Sequence, residues 1–254
     1  MSLELDERRV AMLMEMNLKV WSAPAAGQAP PESRTAKPAE PVARQDIEPA
    51  PRAPVTLLPL PVGIATMDWA ALEQTVAGCR ACALCGSRKN TVFGVGSPRA
   101  DWLIVGEAPG ENEDLAGEPF VGQAGKLLDN MLKAVGLSRQ GDGAQAAYIT
   151  NVLKCRPPAN RNPMPEEVAQ CEPYLRRQVE LLQPKIILAL GRFAVQSLLQ
   201  SNEPIGKLRG RVHDYHGVPV IVSYHPAYLL RSLPEKAKAW ADLCMALDMM
   251  QRRG

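Results

Sequence analysis

The sequence predicts an α/β fold: a three-layer α/β/α domain around a central, mainly parallel four-stranded sheet, preceded by a disordered N-terminal extension. Three observations predict it. From about residue 67 onward, short apolar runs alternate with stretches of helical period, the pattern of a parallel sheet covered on both faces. Each strand-like run ends in a polar, unusual segment, at the strand ends where ligands sit in such folds. Upstream, ten of the chain's 23 prolines fall within residues 22–61, among Ala, Glu, Arg and Gln, a composition that cannot bury a core.

Residues 1–21 read as an amphipathic helix. Ser2 can cap it, Glu4, Asp6 and Glu7 suit a helix N-terminus, and Val10, Leu13 and Met14 share one face. Such a helix either folds back on the core or docks on a protein partner. Residues 22–66 form a Pro/Ala-rich linker, and 67–254 form the folded domain. Within it, "WAALEQTVA" has helical character, and "DWLIVG" (101–106) is a strand running into a Gly-rich turn. "GKLLDNMLKAVG" (125–136) has helical spacing, and "AAYITNVL" (146–153) is strand-like. "PEEVAQCEPYLRRQVELLQ" (165–183) is a helix with Pro in its first turn. "KIILALG" (185–191) is a buried strand, and "RFAVQSLLQ" (192–200) a helix. "VPVIVSYHP" (218–226) is a strand entering a loop, and residues 234–251 form a final helix. The strand-terminal words "GEAPG", "TNVLKC", "LALG" and "SYHPAY" are expected to meet in one site.

Composition narrows the function classes. Hydrophobic residues make up 46% and charged residues 22%, as in ordinary globular proteins. No apolar run approaches the roughly 20 residues of a membrane span. The acidic opening "MSLELDERR" lacks a basic-then-apolar signal pattern, so a cytoplasmic protein is expected. The net charge of +2 is too small to announce nucleic-acid binding by itself.

In a reducing compartment, six cysteines are ligands or core thiols rather than disulfides. Cys79, Cys82 and Cys85 form C-x2-C-x2-C; Cys155 and Cys171 follow with fifteen residues between them, and Cys244 stands alone in the final helix. Two pairs of thiolates can hold zinc or an iron–sulfur cluster. A far pair drawn from a strand end and a helix would tie the domain's beginning to its middle. Cys171 also reads as a core thiol, and Cys244 as one without a role. Composition chooses neither zinc over iron nor Cys79–Cys82 over Cys82–Cys85.

"GEAPGENEDLAGEPFVGQAGKLL" (106–128) closely resembles the signature of the family 4 uracil-DNA glycosylases. The match continues through "TNVLKCRPPANRNPMPEEVAQC" (150–171), "LGRFA" (190–194) and "HPAYLLR" (225–231), in order, over roughly residues 70–250. The family pattern places a Leu two positions after C-x2-C, an Arg four positions further on, and then a "VFG" word. Here Cys82 is followed by Leu84, Arg88 and "VFG" at 92–94. The resemblance therefore implies Cys79, Cys82, Cys155 and Cys171 as ligands of one structural [4Fe–4S] cluster per chain, with Cys85 outside it.

The implied reaction flips uracil out of DNA and hydrolyses its N-glycosidic bond, leaving an abasic site in base excision repair. The sugar becomes cationic and the base leaves as an anion, so a donor aimed at uracil O2 is worth most in the transition state. The resemblance assigns that donor to His225. Asn151 would accept from uracil N3–H and donate to O4, a pattern that cytosine reverses. Phe120 would stack on the extruded base. Glu107, Ala108 and Pro109 would line the turn after the first strand. In the best-known branch of the superfamily this turn carries an Asp that positions water; the matching slot here is Ala108, leaving water to backbone carbonyls or Glu107. Glu113, with Asp114, would shape the side facing base C5. Leu229 and Leu230 would wedge into the gap in DNA and Arg231 would meet a phosphate, with more phosphate contacts from "KLRGRVH" and "CRPPANR".

Rival readings are a non-catalytic iron–sulfur DNA-binding module, a zinc-stabilised binding protein, and a relative that traps uracil-DNA covalently. The last carries a basic, His-containing insertion after the Asn strand, and "KCRPPANRNP" has no His. Uracil-containing DNA is the expected partner, with no membrane, and a monomer is expected.

Overall fold

The computed structural model describes residue 57 and residues 59–252. The helix expected over 1–21 and most of the linker expected over 22–66 lie outside the described residues. The domain takes in more than residues 67 onward. Leu60 and Ile64 pack with Leu72, Val76, Phe93 and Tyr174, so ordered packing begins upstream of Met67.

Six strands form one sheet: β1 (Val95–Gly96), β2 (Trp102–Gly106), β3 (Ala147–Asn151), β4 (Ile186–Leu190), β5 (Val212–Tyr215) and β6 (Val218–Ser223). Their order is β1-β3-β2-β4-β6-β5. The four inner strands are parallel and are the four expected from sequence. The sheet exceeds the expected four strands by one antiparallel strand at each edge. β5 reaches β6 through His216 and Gly217, both at positive φ (49° and 85°), the two-residue turn whose twist suits a hairpin.

Every residue of β2, β3 and β4 is buried, because helices cover both faces. Alternate side chains serve opposite faces. Leu103, Val105, Tyr148, Ile187 and Ala189 pack with Leu175 and Val179 of α4 (Pro165–Leu182) and Val195 of α5 (Arg192–Leu199). Trp102, Ile104, Ile149 and Leu188 pack with Leu128 and Leu132 of α3 (Gln123–Ala134) and Leu243 of α8 (Lys236–Gln251). The remaining helices are α1 (Trp69–Gly78), α2 (Glu111–Ala116), α6 (Ile205–Leu208) and α7 (Pro226–Leu229). Asp68 caps α1 by accepting from the Ala71 N–H at 2.8 Å. Pro165 opens α4, where a missing N–H costs nothing, and Glu167 accepts from the Met164 N–H at 2.9 Å.

Candidate active site

Because β3, β2, β4 and β6 are parallel, their C-terminal ends share one edge of the sheet. Gly106 pairs with Asn151, and Leu190 with Ser223. A cleft of about 770 Å³ opens there. Glu107, Ala108, Pro109, Glu113, Phe120, Asn151, His225 and Arg231 all line it, so the strand-terminal words do meet.

Gly106 is where the absence of a side chain matters. A methyl group there would lie 2.4 Å from Asn151 Oδ1 and 2.5 Å from Phe120 Cζ. The bare strand end lets the amide and the ring close in from two sides. Asn151 is 2% exposed, and its Oδ1 is buried without a hydrogen-bond partner. An orphaned buried acceptor is costly unless a ligand supplies the donor. Phe120 sits at φ 56°, unusual for a side-chain-bearing residue. Arg139 braces this turn, donating to the Pro119 and Phe120 carbonyls at 2.9 Å each and to Asp129 at 2.8 Å.

The Phe120 ring stacks on the His225 ring, with centroids 5.4 Å apart. His225 Nδ1 accepts from the Ala227 N–H at 3.2 Å. This leaves the ring proton on Nε2. Burial pulls the His225 pKa down to about 4, so the imidazole is neutral at pH 7. Burial also pushes Glu107 up to about 7, opposed by the Arg192 guanidinium. Glu113 accepts from Gly110, Val121 and Gly122 N–H groups at 2.9–3.1 Å, stapling the two loops that form this wall.

Several expectations need correction. Leu229 is 1% exposed, while Leu230 is 42% exposed. The short helix α7 turns Leu229 inward, beside Leu127, Met131 and Leu243, so it cannot wedge into DNA without leaving its packing. Asp114 does not line the cleft; it accepts from the Lys89 and Asn90 N–H groups at 2.9 and 3.2 Å. In "KLRGRVH", Arg209 is locked on buried Asp242 by two 2.8 Å bonds rather than free for phosphate. In "CRPPANR", Arg161 is paired with buried Glu167 at 2.5 and 2.9 Å.

Cys79, Cys82, Cys85, Cys155 and Cys171 line one internal space with Val76, Ala81 and Tyr174. None of the six cysteines is joined in a disulfide. Arg88 donates to Cys155 Sγ at 2.9 Å and to the Cys79 carbonyl at 2.7 Å, and the Tyr174 hydroxyl donates to Cys79 Sγ at 3.4 Å. Burial raises Cys155 to about 11 and Cys171 to about 12, so thiolates here need a cationic occupant. Among the described residues, no three His, Cys, Asp or Glu side chains form a group that could hold one metal ion. The residues fit a metal-bearing group by donor type: five thiols line one space, and two of their sulfurs accept from Arg88 and Tyr174.

Three residues escaped sequence reasoning. Arg192 and Tyr224 line the cleft, and Lys154 is fully buried between the cleft and the cysteines. The signal for Lys154 was its place in the apolar "NVLKC", which reads equally as a loop lysine.

Comparison with known proteins agrees with this geometry. The uracil DNA glycosylase superfamily pattern matches residues 93–244. A type-4 uracil-DNA glycosylase of Archaeoglobus fulgidus is 48% identical over 167 residues, 63% of this chain and 81% of the relative. One from Saccharolobus solfataricus is 44% identical over 172 residues, 64% of this chain and 77% of the relative. One from Sulfurisphaera tokodaii is 45% identical over 168 residues, 63% of this chain and 74% of the relative. No helix among the described residues is long and apolar enough to cross a membrane. With the motif order, the parallel sheet and the cleft at its strand ends in agreement with these matches, the chain belongs to the uracil DNA glycosylase superfamily, in its type-4 branch.

Proposed function

We propose that this chain excises uracil from DNA by hydrolysing the N-glycosidic bond, with Asn151 reading the base and His225 steadying it as it leaves. One observation carries the reading: a buried, unpartnered amide oxygen shares a cleft with a neutral imidazole whose Nδ1 is already engaged. Asn151 Oδ1 suits the N3–H of uracil and repels the N3 lone pair of cytosine. A neutral Nε2–H gains strength as negative charge develops on uracil O2, so it favours the transition state over the ground state. Phe120 supplies a face for the base, whatever its identity. Glu107, protonated in part near neutrality, positions water beside the cationic sugar in place of the carboxylate that Ala108 cannot provide. Ala108, Pro109 and Glu113 complete the wall. Leu230 and Arg231 face the DNA, Leu230 from its exposed position and Arg231 from the cleft mouth.

The same reading assigns Cys79, Cys82, Cys155 and Cys171 to a [4Fe–4S] cluster, which would join the turn after α1 to α4 without taking part in the reaction. Support comes from the convergence of these thiols on one space and from the sulfur hydrogen bonds to Cys79 and Cys155. Visible absorbance and four irons per chain are expected of the purified protein; stoichiometric zinc would overturn this assignment.

The test of activity is release of free base from matched oligonucleotides carrying U, T or C at one position. Uracil alone is expected to be released. His225→Ala should slow release by roughly 10²–10³-fold, and Asn151→Ala should lower it strongly as well. If both variants turn over normally, the site assignment is wrong even if uracil is released.

A further inference from the structure

Lys154 is 1% exposed, and its Nζ lies 2.7 Å from Thr150 Oγ1, 2.8 Å from the Asn151 carbonyl and 2.6 Å from Gln178 Oε1. None of the three is free to donate back. The Asn151 oxygen is a carbonyl. Gln178 is oriented by its Nε2, which donates to the Phe93 carbonyl at 3.0 Å. The Thr150 hydroxyl donates to that same carbonyl at 2.8 Å. Burial pulls Lys154 down to about 7, while the three acceptors call for three donors, which an ammonium has and a neutral amine lacks. No carboxylate joins this group. On its other side, Lys154 lines the space shared by Cys155 and Cys171. Filling such a volume needs only an apolar chain, and burying an ammonium is expensive. A fully satisfied polar network does something a methionine would not: it fixes the direction of the groups it binds.

We propose that Lys154 is a positioning residue for Asn151: its Nζ donates to the Asn151 carbonyl at the end of β3, holds the backbone there, and so aims the side-chain amide into the cleft. Thr150 and Gln178 complete the clamp and tie it through the Phe93 carbonyl to the segment before β1. Lys154 also joins this strand end to the wall of the cysteine space. The inference rests on the reading of Asn151 as the uracil reader.

The test uses the full chain with Lys154→Met, the double variant Lys154→Met/Gln178→Leu, and Asn151→Ala. Affinity is measured for an oligonucleotide carrying a 2′-fluorinated uridine, which binds without being cleaved, and for its cytidine counterpart. The kcat, KM, Tm and visible absorbance are recorded alongside. Lys154→Met is expected to lower kcat by roughly 10²-fold, the scale of a slightly misplaced group, and to shrink the uridine preference at least tenfold. The double variant removes an acceptor that the single variant leaves unpaired, so Tm should recover while the preference does not. Recovery of preference together with Tm overturns the proposal, as does a Lys154→Met chain with undiminished preference. If neither variant folds, the lysine is purely structural and the proposal fails. If Asn151→Ala keeps the preference, the uracil reading itself has failed, independently of Lys154.

Discussion

The cleft and the cysteine site are joined by five residues, Asn151 to Cys155, yet they differ in how their functional groups are held. In the cleft, an amide oxygen is buried without a partner, a carboxyl is pushed to about 7 and an imidazole is pulled to about 4. In the cysteine site, Arg88 and Tyr174 brace two of the sulfurs. A site that must take up and release a base keeps its hydrogen-bonding capacity open. In the cysteine space, by contrast, two of the sulfurs already accept hydrogen bonds. The cost of the open site is local, borne by a few groups at the bare end of the sheet.

The largest effect that would sharpen this contrast is at the braced site. Cys155→Ala should abolish visible absorbance, and Arg88→Ala should cost about 1.5–3 kcal/mol as a lost charge-assisted bond. The corresponding fall in Tm is roughly 3–12 °C for a domain of this size, read by thermal melting. An Arg88→Ala chain that melts like the wild type would remove the distinction between braced and open.

A smaller effect is expected from pH at the open site. Burial raises the Glu107 pKa, so this group is protonated below about pH 7 and becomes a carboxylate above it. If it positions water as a carboxylate, kcat/KM should rise through pH 7. Glu107→Gln should flatten that limb and cost roughly tenfold or more at pH 8. His225 protonates only near pH 4, so it should contribute no loss of activity between pH 6 and 8. An unchanged profile in the Gln variant would assign the limb elsewhere.

The smallest effect on catalysis separates two adjacent leucines. Leu229→Ala should destabilise the fold by about 2–5 kcal/mol as a core truncation. Leu230→Ala should stay within about 0.5 kcal/mol in stability, as a surface change, while weakening binding to uracil-containing duplex. Equal stabilities for the two variants would contradict the inward turn of α7.

Much of the site was legible because its chemistry lies in short words placed at the ends of unbroken apolar runs. "GEAPG", "TNVLKC" and "SYHPAY" each leave an inner strand, and parallel strands bring such ends together without further information. The edge strands were less legible. β1 has two residues, and β5 has exposed Val212 and Asp214, so neither carries a strong pattern, although the His216–Gly217 turn was a readable hairpin signal. The roles of the arginines were illegible for a different reason. Arg209 and Arg161 found buried acids 33 and 6 residues away, and a basic loop looks the same whether its charges are free or paired.

By itself, the sequence determined the four parallel strands, the order of the loops, and the residue types that face one another in the cleft. Periodicity and Gly placement are local properties and survive in one dimension. The tertiary structure alone decided that Leu229 turns inward and Leu230 outward, that Asn151 Oδ1 is left without a partner, and that Lys154 is clamped between three acceptors. Each of these depends on which distant groups arrive at the same point, and burial is set by that arrival rather than by the residue's own neighbours in the chain.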